Sequence, residues 1–450
     1  MAVFISVTVA ACGGSSTTSS QPGTPVTQYR TIPVTVTGLA GLGLTLQRDG
    51  SETLSISSSG SYEFTAQVAV GSPYSITIAN QPTAPRQICT VGSGAGMVNA
   101  DASFSVTVNC VNPTTQFVYA TQVGGNNLAT FSFDHAGTLA LIGTLNNGSD
   151  SYGAGLTPDG RFLYTANRTP NTIGAYSVDA GTGLPSSVAG APFAVGGSGP
   201  RMLAIAPSGN FLYTVTQSSN TIIGFSVNPS TGTLTSLGSP TATGGQPLDV
   251  TITPNGKYLY VASFNNRSVY GYSINATTGS LTSVSGSPFA VHDLSTYARS
   301  LSMDPRGRFL FVPTYATSVA AMKIDDATGA LTEVAGSPFA TGGAQASFAA
   351  SDVSGKFLYV TNQNSNDLSA YSIDQTSGAL TPLSGSPFTL GFSPQAVAAE
   401  PGGRYLLVAG ESSAQVGVYS LDANGAPTAV SGSPFSTGSV APGSITFLAR

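Results

Sequence analysis

Two arginines and one histidine are the residues of this sequence whose types and positions could do chemistry together. Arg201 and Arg299 each stand ten residues before the leading aromatic of a repeated segment, so they occupy equivalent positions. A guanidinium is a planar fork of donors that holds a carboxylate or phosphate through parallel hydrogen bonds. His292 comes shortly before Arg299 and has a side chain that titrates near neutral pH. Arg201, Arg299 and His292 are therefore the candidate catalytic residues.

The segment 291–299 is where the longest repeat takes its additional length, and it also contains Asp293 and Tyr297. Both are predicted to bind ligand beside Arg299. Two alternatives remain open. Surface loops accept insertions without a functional reason, so His292 would be a solvated loop residue. The two arginines would then pair with local acids such as Asp249 or Asp293, or lie in solvent, where ion pairs contribute little.

The leading aromatics of the repeat set the architecture. Segment 254–263 (PNGKYLYVAS) is the clearest copy, and successive aromatics are 45, 49, 47, 51, 48 and 48 residues apart. The aromatics are Phe117, Phe162, Phe211, Tyr258, Phe309, Phe357 and Tyr405. A period of this length that contains short strands indicates a β-propeller.

Counting strands predicts how the ring closes. Six of the seven aromatic strands follow an innermost-strand pattern, and the first does not. Segment 442–448 has that pattern without a successor, so it is predicted to join the first blade and remove the open edge. The sequence thus predicts an all-β fold with a seven-bladed propeller over 116–450. The residues ten positions before each aromatic should surround one mouth of the central channel. They place Tyr152, Gln395 and Asp249 (beside Leu248) among the predicted ligand-binding residues.

Composition excludes several functions. Charged residues make up 8% of the chain, the net charge is −5, and there are three lysines. Without a basic stripe, nucleic acid is not an expected partner. No apolar run approaches the roughly 20 residues that span a bilayer. Phosphate-binding loops, nucleophile elbows and histidine-rich clusters are also lacking, so neither a cofactor nor a metal is expected.

The three cysteines divide into a pair and a single residue. Cys89 and Cys110 close a short loop in a secretion-like composition, which predicts a disulfide and an oxidising compartment. Two buried free thiols are the alternative. Cys12 ends the apolar segment 1–12 and precedes the Gly/Ser/Thr-rich linker 13–30. This arrangement resembles a bacterial lipoprotein signal lipidated at Cys12, although the segment lacks Lys and Arg. Membrane contact is expected only through that lipid.

Residues 31–112 form a separate region. Alternating strand-like segments recur there about every 8–12 residues between Gly, Ser, Asn and Pro. The pattern predicts a small antiparallel, immunoglobulin-like β-sandwich whose late strands are joined by Cys89 and Cys110. Because it contains no candidate catalytic residues, it is interpreted as a spacer.

The repeats resemble those of seven-bladed lactonase-like propellers, a group related to 6-phosphogluconolactonases and muconate-cyclising enzymes. The resemblance rests on segments 160–164 (GRFLY) and 359–362 (YVTN) and on the recurring Gly-Ser-Pro-Phe, and it covers about 116–450. It implies the fold more specifically than an activity. Catalytic members carry a Gly-Pro-Arg-His-like segment at the start of an innermost strand. Segment 199–202 here reads Gly-Pro-Arg-Met, so Arg201 matches and Met202 replaces the histidine.

Two functions remain open from the sequence. The first is a cell-envelope lipoprotein whose channel mouth binds a glycan, peptide, partner protein or small molecule as a binding or scaffold module. The second is an extracytoplasmic lactone hydrolase in which Arg201 and Arg299 orient the substrate and His292 or Asp249 activates water. In both cases the chain is expected to be a monomer.

Overall fold

The computed structural model describes residues 27–40, 42–82, 87–100, 104–111, 116–123, 127–146, 150–291, 297–410, 413–438 and 442–449. The regular elements in these ranges are all β-strands. Their sequences are rich in β-branched and aromatic residues and are separated by glycine turns, a combination that favours strands. Within the same ranges no helix is long and apolar enough to cross a membrane.

The first ten strands form the region before the propeller. They are β1 (Tyr29–Arg30), β2 (Pro33–Thr37), β3 (Leu44–Arg48), β4 (Glu52–Ile56), β5 (Gly60–Glu63), β6 (Val68–Ala69), β7 (Pro73–Asn80), β8 (Ile88–Gly92), β9 (Ala95–Met97) and β10 (Val106–Val111). They build two four-stranded sheets, in the orders β5-β2-β10-β8 and β4-β3-β7-β9, and the small pair β1-β6. The two larger sheets share one core, which includes Val34, Leu46 and Phe64.

The disulfide predicted in this region is present. Cys89 on β8 lies opposite Cys110 on β10, and the two sulfurs are 2.05 Å apart. The expectation of purely antiparallel sheets is wrong, because β10 pairs with β2 in parallel. Alternation along a single strand reveals which face is buried but not the direction of the neighbouring strand. The immunoglobulin-like topology stays a prediction.

The remaining strands form seven sheets, and the predicted propeller is confirmed. The first blade contains β11 (Gln116–Gln122), β12 (Asn127–Phe133), β13 (Leu139–Asn146) and β44 (Pro442–Ala449). The second and third contain β14 (Ser151–Leu156), β15 (Phe162–Asn167), β16 (Thr172–Val178), β17 (Pro185–Ser187), β18 (Phe193–Ala194), β19 (Pro200–Ile205), β20 (Phe211–Thr216), β21 (Thr221–Val227), β22 (Leu234–Ser236) and β23 (Thr241–Ala242). The fourth and fifth contain β24 (Pro247–Ile252), β25 (Tyr258–Ser263), β26 (Ser268–Ile274), β27 (Leu281–Ser283), β28 (Phe289–Ala290), β29 (Ser302–Met303), β30 (Phe309–Pro313), β31 (Ser318–Ile324), β32 (Leu331–Glu333) and β33 (Phe339–Ala340). The sixth and seventh contain β34 (Ala346–Ser351), β35 (Phe357–Asn362), β36 (Asp367–Ile373), β37 (Leu380–Pro382), β38 (Phe388–Thr389), β39 (Pro394–Ala399), β40 (Tyr405–Gly410), β41 (Gln415–Leu421), β42 (Pro427–Ala429) and β43 (Phe435–Ser436).

The innermost strands form a closed ring. Each packs against the next in the order β44, β14, β19, β24, β29, β34, β39 and back to β44. β44 pairs antiparallel with β11, from Gln116 opposite Ala449 to Gln122 opposite Pro442. The chain therefore supplies the innermost strand of the first blade from its far end, and the ring has no open sheet edge at this joint.

Every blade joint contains an aromatic ring packed on a glycine. The leading aromatic of one blade lies against a turn glycine of the next blade, and all of these glycines have a positive φ. The pairs are Phe117–Gly183, Phe162–Gly232, Phe211–Gly279, Tyr258–Gly329, Phe309–Gly378, Phe357–Gly425 and Tyr405–Gly137. At Gly279 an added Cβ would lie 2.6 Å from the Phe211 ring, and φ is 72°. Glycine is therefore required here for both space and backbone conformation.

Five of the joints add a buried hydrogen bond. Two residues after the leading aromatic of these blades is a tyrosine that donates its hydroxyl to the carbonyl of the same glycine. The bonds run from Tyr119 to Gly183 (2.6 Å), Tyr164 to Gly232 (2.8 Å), Tyr213 to Gly279 (2.7 Å), Tyr260 to Gly329 (2.8 Å) and Tyr359 to Gly425 (2.7 Å). Burial raises the pKa of Tyr213 far above its usual range, so the hydroxyl remains a donor at any physiological pH.

We expect the substitution Tyr213→Phe to lower the free energy of unfolding by about 1–3 kcal/mol, because it leaves the buried Gly279 carbonyl without its donor. The chain has no tryptophan, so the denaturant midpoint is best followed by far-ultraviolet circular dichroism. Tyr29→Phe, at a tyrosine that is 58% exposed, is the matched control. If both variants keep the wild-type midpoint, the bond does not stabilise the joint.

Candidate functional site

One face of the propeller collects the side chains predicted to act. The innermost strands start at this face, and the loops after the second strands return to it. In six blades the innermost strand has a register shift close to its start, for example between Pro200 and Leu203 in β19. An irregularity of this kind redirects side chains out of the regular alternation. The residues at these starts therefore surround the mouth of the channel.

Arg201 lies at the second position of β19 and is only 7% exposed. Its guanidinium carbon is 4.5 Å from the centre of the Tyr152 ring, at the start of β14 in the preceding blade. Its Nη1 donates a 3.0 Å hydrogen bond to Oε1 of Gln217, the first residue after β20. Among the described residues it makes no ion pair, so the alternative in which Arg201 is neutralised by a direct contact with Asp249 is not observed.

Tyr152 contacts a second guanidinium. Arg168, the first residue after β15, has its guanidinium carbon 4.8 Å from the centre of the same ring. Unlike Arg201, Arg168 is paired with a carboxylate, because its Nε lies 2.7 Å from Oδ2 of Asp150. The Tyr152 ring thus supports two cations, of which one is neutralised.

Arg299 lies two blades beyond Arg201 and has a similar aromatic setting. Its guanidinium carbon is 4.8 Å from the centre of the Tyr315 ring and 5.7 Å from that of Phe348. Its backbone N–H donates to the carbonyl of Pro313 at 3.1 Å, which fixes the segment before β29 against the end of β30. A cation held over an aromatic face is stabilised by the ring quadrupole, more so when water is excluded.

The two arginines act on each other electrostatically. Burial lowers the pKa of Arg201 to about 10, and the positive charge of Arg299 contributes to this shift. Burial raises the pKa of Asp249 to about 6, although the N–H groups of Leu301 and Val250 and both arginines oppose the rise. Each of these N–H groups donates to the Asp249 carboxylate at 2.8 Å. The mouth therefore combines one desolvated cation, Arg201, and the nearby charge of Arg299 with a carboxyl group whose pKa is raised to about 6.

An aromatic stack extends this site towards the fourth blade. Tyr297 stacks on Phe264, with ring centres 4.3 Å apart and an interplanar angle of 9°. The guanidinium carbon of Arg267 lies 5.2 Å from the centre of the Tyr297 ring, and Phe264 makes a T-shaped contact with Tyr315, with ring centres 5.6 Å apart. Through Phe264 and Tyr315, the predicted ligand residue Tyr297 is connected to Arg299.

A polar row lies on the other side of the mouth. Gln395 is buried in β39 and accepts a long hydrogen bond of 3.4 Å from Nε2 of Gln363. Oε1 of Gln363 accepts a 3.1 Å bond from Ser347, the neighbour of Phe348. Gln395 thus lies at the predicted level of the ring and belongs to a hydrogen-bonded row next to the arginine group.

The structure brings together most of the predicted site residues that it describes. Tyr152, Arg201, Asp249 and Arg299 form one group, and Tyr297 adjoins it. Leu248, which stands ten residues before the leading aromatic of the fourth blade, is buried, with 3% of its surface exposed. His292, Asp293 and Cys12 lie outside the described residues.

Sequence reasoning missed several participants. Four of them share a simple signal, since each is the first residue after a second strand: Arg168, Gln217, Phe264 and Gln363. Tyr315 and Phe348 have no such signal. Tyr315 is the second residue after β30, and Phe348 follows Ser347, which stands ten residues before Phe357.

Two clefts elsewhere in the molecule do not include the predicted site residues. Each has a volume of about 510 Å³ and lies where the first region approaches propeller turns. One involves Gly43 and Pro207, and the other involves Leu42 and Pro305. Charged residues of the propeller turns line these clefts, among them Asp159, Arg306 and Lys356, whereas the predicted site residues lie at the channel mouth.

Comparison with known families agrees with this architecture. The family model "Lactonase, 7-bladed beta-propeller" matches residues 153–250, 239–342 and 298–440, which together exceed half of the chain. The chain belongs to this family. No curated protein matches it significantly.

Solved structures of similar fold include other members of the lactonase propeller class. A Bacteroides fragilis protein provisionally assigned as a 6-phosphogluconolactonase is 21% identical, with a TM-score of 0.64, and the match covers 74% of this chain and 98% of that one. A periplasmic gluconolactonase from Pseudomonas aeruginosa is 19% identical, with a TM-score of 0.61, and the match covers 74% and 99%. At these identities the likeness establishes the lactonase propeller fold alone.

The raised pKa of Asp249 makes a testable link between the site and stability. The folded state keeps this proton at a pH where the unfolded carboxyl has lost it. The stabilising contribution is therefore complete below about pH 4 and is lost as the pH rises through about 6. A shift of about two pKa units corresponds to about 3 kcal/mol.

We expect the free energy of unfolding of the wild type, relative to Asp249→Asn, to fall by about 3 kcal/mol between pH 3 and pH 7. The amide loses one acceptor for the two N–H groups, which adds an offset that does not vary with pH. Asp326→Asn, at an exposed carboxylate, controls for removal of a charge. Parallel stability curves for wild type and Asp249→Asn would show that this carboxyl titrates normally.

Proposed function

We propose that the mouth of the central channel binds a small ligand that carries a carboxylate. The observation that supports this is the proximity of two arginines in a partly desolvated site, each held on an aromatic ring. An anion between Arg201 and Arg299 would offset their mutual repulsion. The guanidinium fork matches the two oxygens of a carboxylate. A small ligand is favoured over a protein partner because Arg201 is buried and recessed.

The rest of the ligand would meet two kinds of wall. Half-buried rings, including Tyr152 and Phe348, offer apolar surface on the arginine side. Gln363 and Gln395 offer amide groups on the other side. A mostly apolar wall with a few convergent polar groups is typical of small-molecule sites. We therefore expect orientation to be set by the arginines and the amides.

Hydrolysis of a lactone is the second candidate function, and Asp249 is the observation that favours it. A carboxylate with a pKa of about 6 could act as a general base near neutral pH. Asp249 would take a proton from water, and the hydroxide oxygen would bond to the lactone carbonyl carbon. The resulting oxyanion would face Arg201 or Arg299. Its collapse would break the bond between the carbonyl carbon and the ring oxygen, which would take the proton from Asp249 and give the open hydroxy acid. His292 is the other candidate base.

We place this activity outside the cytoplasm. The disulfide between Cys89 and Cys110 supports an oxidising compartment. The segment ending at Cys12 supports a lipid anchor in the cell envelope, with the region of β1 to β10 as a spacer. Membrane fractionation of the chain and its Cys12→Ser variant would test the anchor, since only the unaltered chain should sediment with membranes.

The binding proposal is tested with a matched pair of probes. Gluconate carries a carboxylate on a polyol, and sorbitol is the corresponding polyol without it. We expect calorimetry at low salt to detect gluconate and to show much weaker binding of sorbitol. Arg201→Ala and Arg299→Ala should each weaken gluconate binding by about 10- to 100-fold, the value of a charged hydrogen bond. Arg306→Ala, at an exposed arginine outside the mouth, should change nothing. Unchanged gluconate affinity in both mouth variants would contradict the proposal.

The same proteins separate the two candidate functions. Opening of gluconolactone faster than in buffer, and its loss in Asp249→Asn at pH 7, would support hydrolysis. Binding of gluconate without any faster opening would leave ligand binding as the function. Faster opening that persists in both arginine variants would place the reaction away from this mouth.

A further inference from the structure

Tyr315 has an unusual backbone conformation. Its φ is 56°. Among the described non-glycine residues that have a positive φ, Tyr315 is the only aromatic one. Bulky side chains rarely adopt this region, because the Cβ comes too close to the backbone. Such outliers persist where the surrounding structure imposes them, and they cluster at functional sites.

The corresponding loops of other blades make the same turn without placing an aromatic residue at a positive φ. In the second, third and sixth blades the last loop residue takes the positive φ, and it is asparagine: Asn171, Asn220 and Asn366. Asparagine tolerates this conformation well. In the fifth blade the positive φ moves to the second loop residue, Tyr315.

Hydrogen bonds explain how the loop is displaced. In the third blade the first loop residue, Gln217, donates its N–H to Gly199 at the start of its own innermost strand. In the fifth blade the segment before β29 bonds instead to residues ahead of Tyr315, through Tyr297 to Thr314 and Arg299 to Pro313. The N–H of Tyr315 donates to Ala346 of the sixth blade at 2.9 Å. The loop therefore reaches towards the next blade.

This displacement places the Tyr315 ring beneath Arg299. The guanidinium carbon is 4.8 Å from the ring centre, and the Tyr315 ring also makes a T-shaped contact with Phe264. We infer that Tyr315 is the positioning residue that aims the Arg299 guanidinium into the channel mouth, and that its backbone conformation persists for the sake of this contact. This role for Tyr315 adds a positioning residue to the proposed carboxylate site. It depends on that proposed site only in the experiments that measure ligand affinity.

The test compares Tyr315→Asn with Tyr315→Phe. Asparagine suits the backbone but removes the ring, whereas phenylalanine keeps the ring face and removes only the hydroxyl. We expect Tyr315→Asn to weaken gluconate binding on the order of tenfold, the loss of a partly desolvated cation–π contact. Tyr315→Phe should bind as the wild type does. In an Arg299→Ala background, Tyr315→Asn should have no additional effect, because the group it positions is gone.

A second readout needs no ligand. Phenylglyoxal modifies accessible guanidinium groups, and peptide mass spectrometry reports the rate at each arginine. Tyr315→Asn should raise the rate at Arg299 several-fold and leave Arg306 unchanged, and Tyr315→Phe should leave both unchanged. Equal rates at Arg299 in all three proteins would overturn the inference, whether or not gluconate binds. If gluconate fails to bind the wild type while the rates change as expected, the proposed ligand is wrong and the positioning role stands.

Discussion

The contact between an aromatic ring and a turn glycine of the next blade is the constraint on which this molecule depends. It recurs at all seven joints, including Tyr405 on Gly137, where the last blade meets the first. Each glycine is needed because a Cβ would enter the ring and because φ is positive. At five joints a tyrosine hydroxyl satisfies the carbonyl of that glycine in the interior. The joint thereby fixes the angle between successive sheets, and hence the positions at which the innermost strands begin.

A rigid ring allows the mouth to hold groups that would separate in solution. Arg201 and Arg299 are on different blades, and each is held on an aromatic ring: Arg201 on Tyr152 of the preceding blade, and Arg299 on Tyr315 of its own blade. The charged forms of two of these groups are destabilised, because the pKa of Arg201 is lowered and the pKa of Asp249 is raised. Burial causes both shifts chiefly by removing water from the charged forms. Charged groups held in an unfavourable environment, within a fold that otherwise follows the usual rules of packing and hydrogen bonding, are typical of functional sites.

The sequence was sufficient for the ring and for part of the mouth. The repeat determined the number of blades because the aromatic, the turn glycine and the strand recur together every 45 to 51 residues. Counting back from the aromatic located Tyr152, Arg201 and Arg299, since every innermost strand starts at the same level. It failed to identify Tyr315, because a positive φ in a displaced loop follows from hydrogen bonds to another blade and leaves no trace in residue type. It also failed to find the parallel pair β2–β10, because alternation along a strand carries no information on the direction of its neighbour.

The pairing of β44 with β11 has a consequence for biosynthesis. The second strand of the first blade emerges from the ribosome more than three hundred residues before the strand that completes its sheet. Loop closure over such a distance is slow, and the waiting edge of β11 is open to wrong partners in the meantime. The sheet of the first blade therefore depends on a contact far more distant along the chain than those of the other six blades, whose strands are consecutive in sequence.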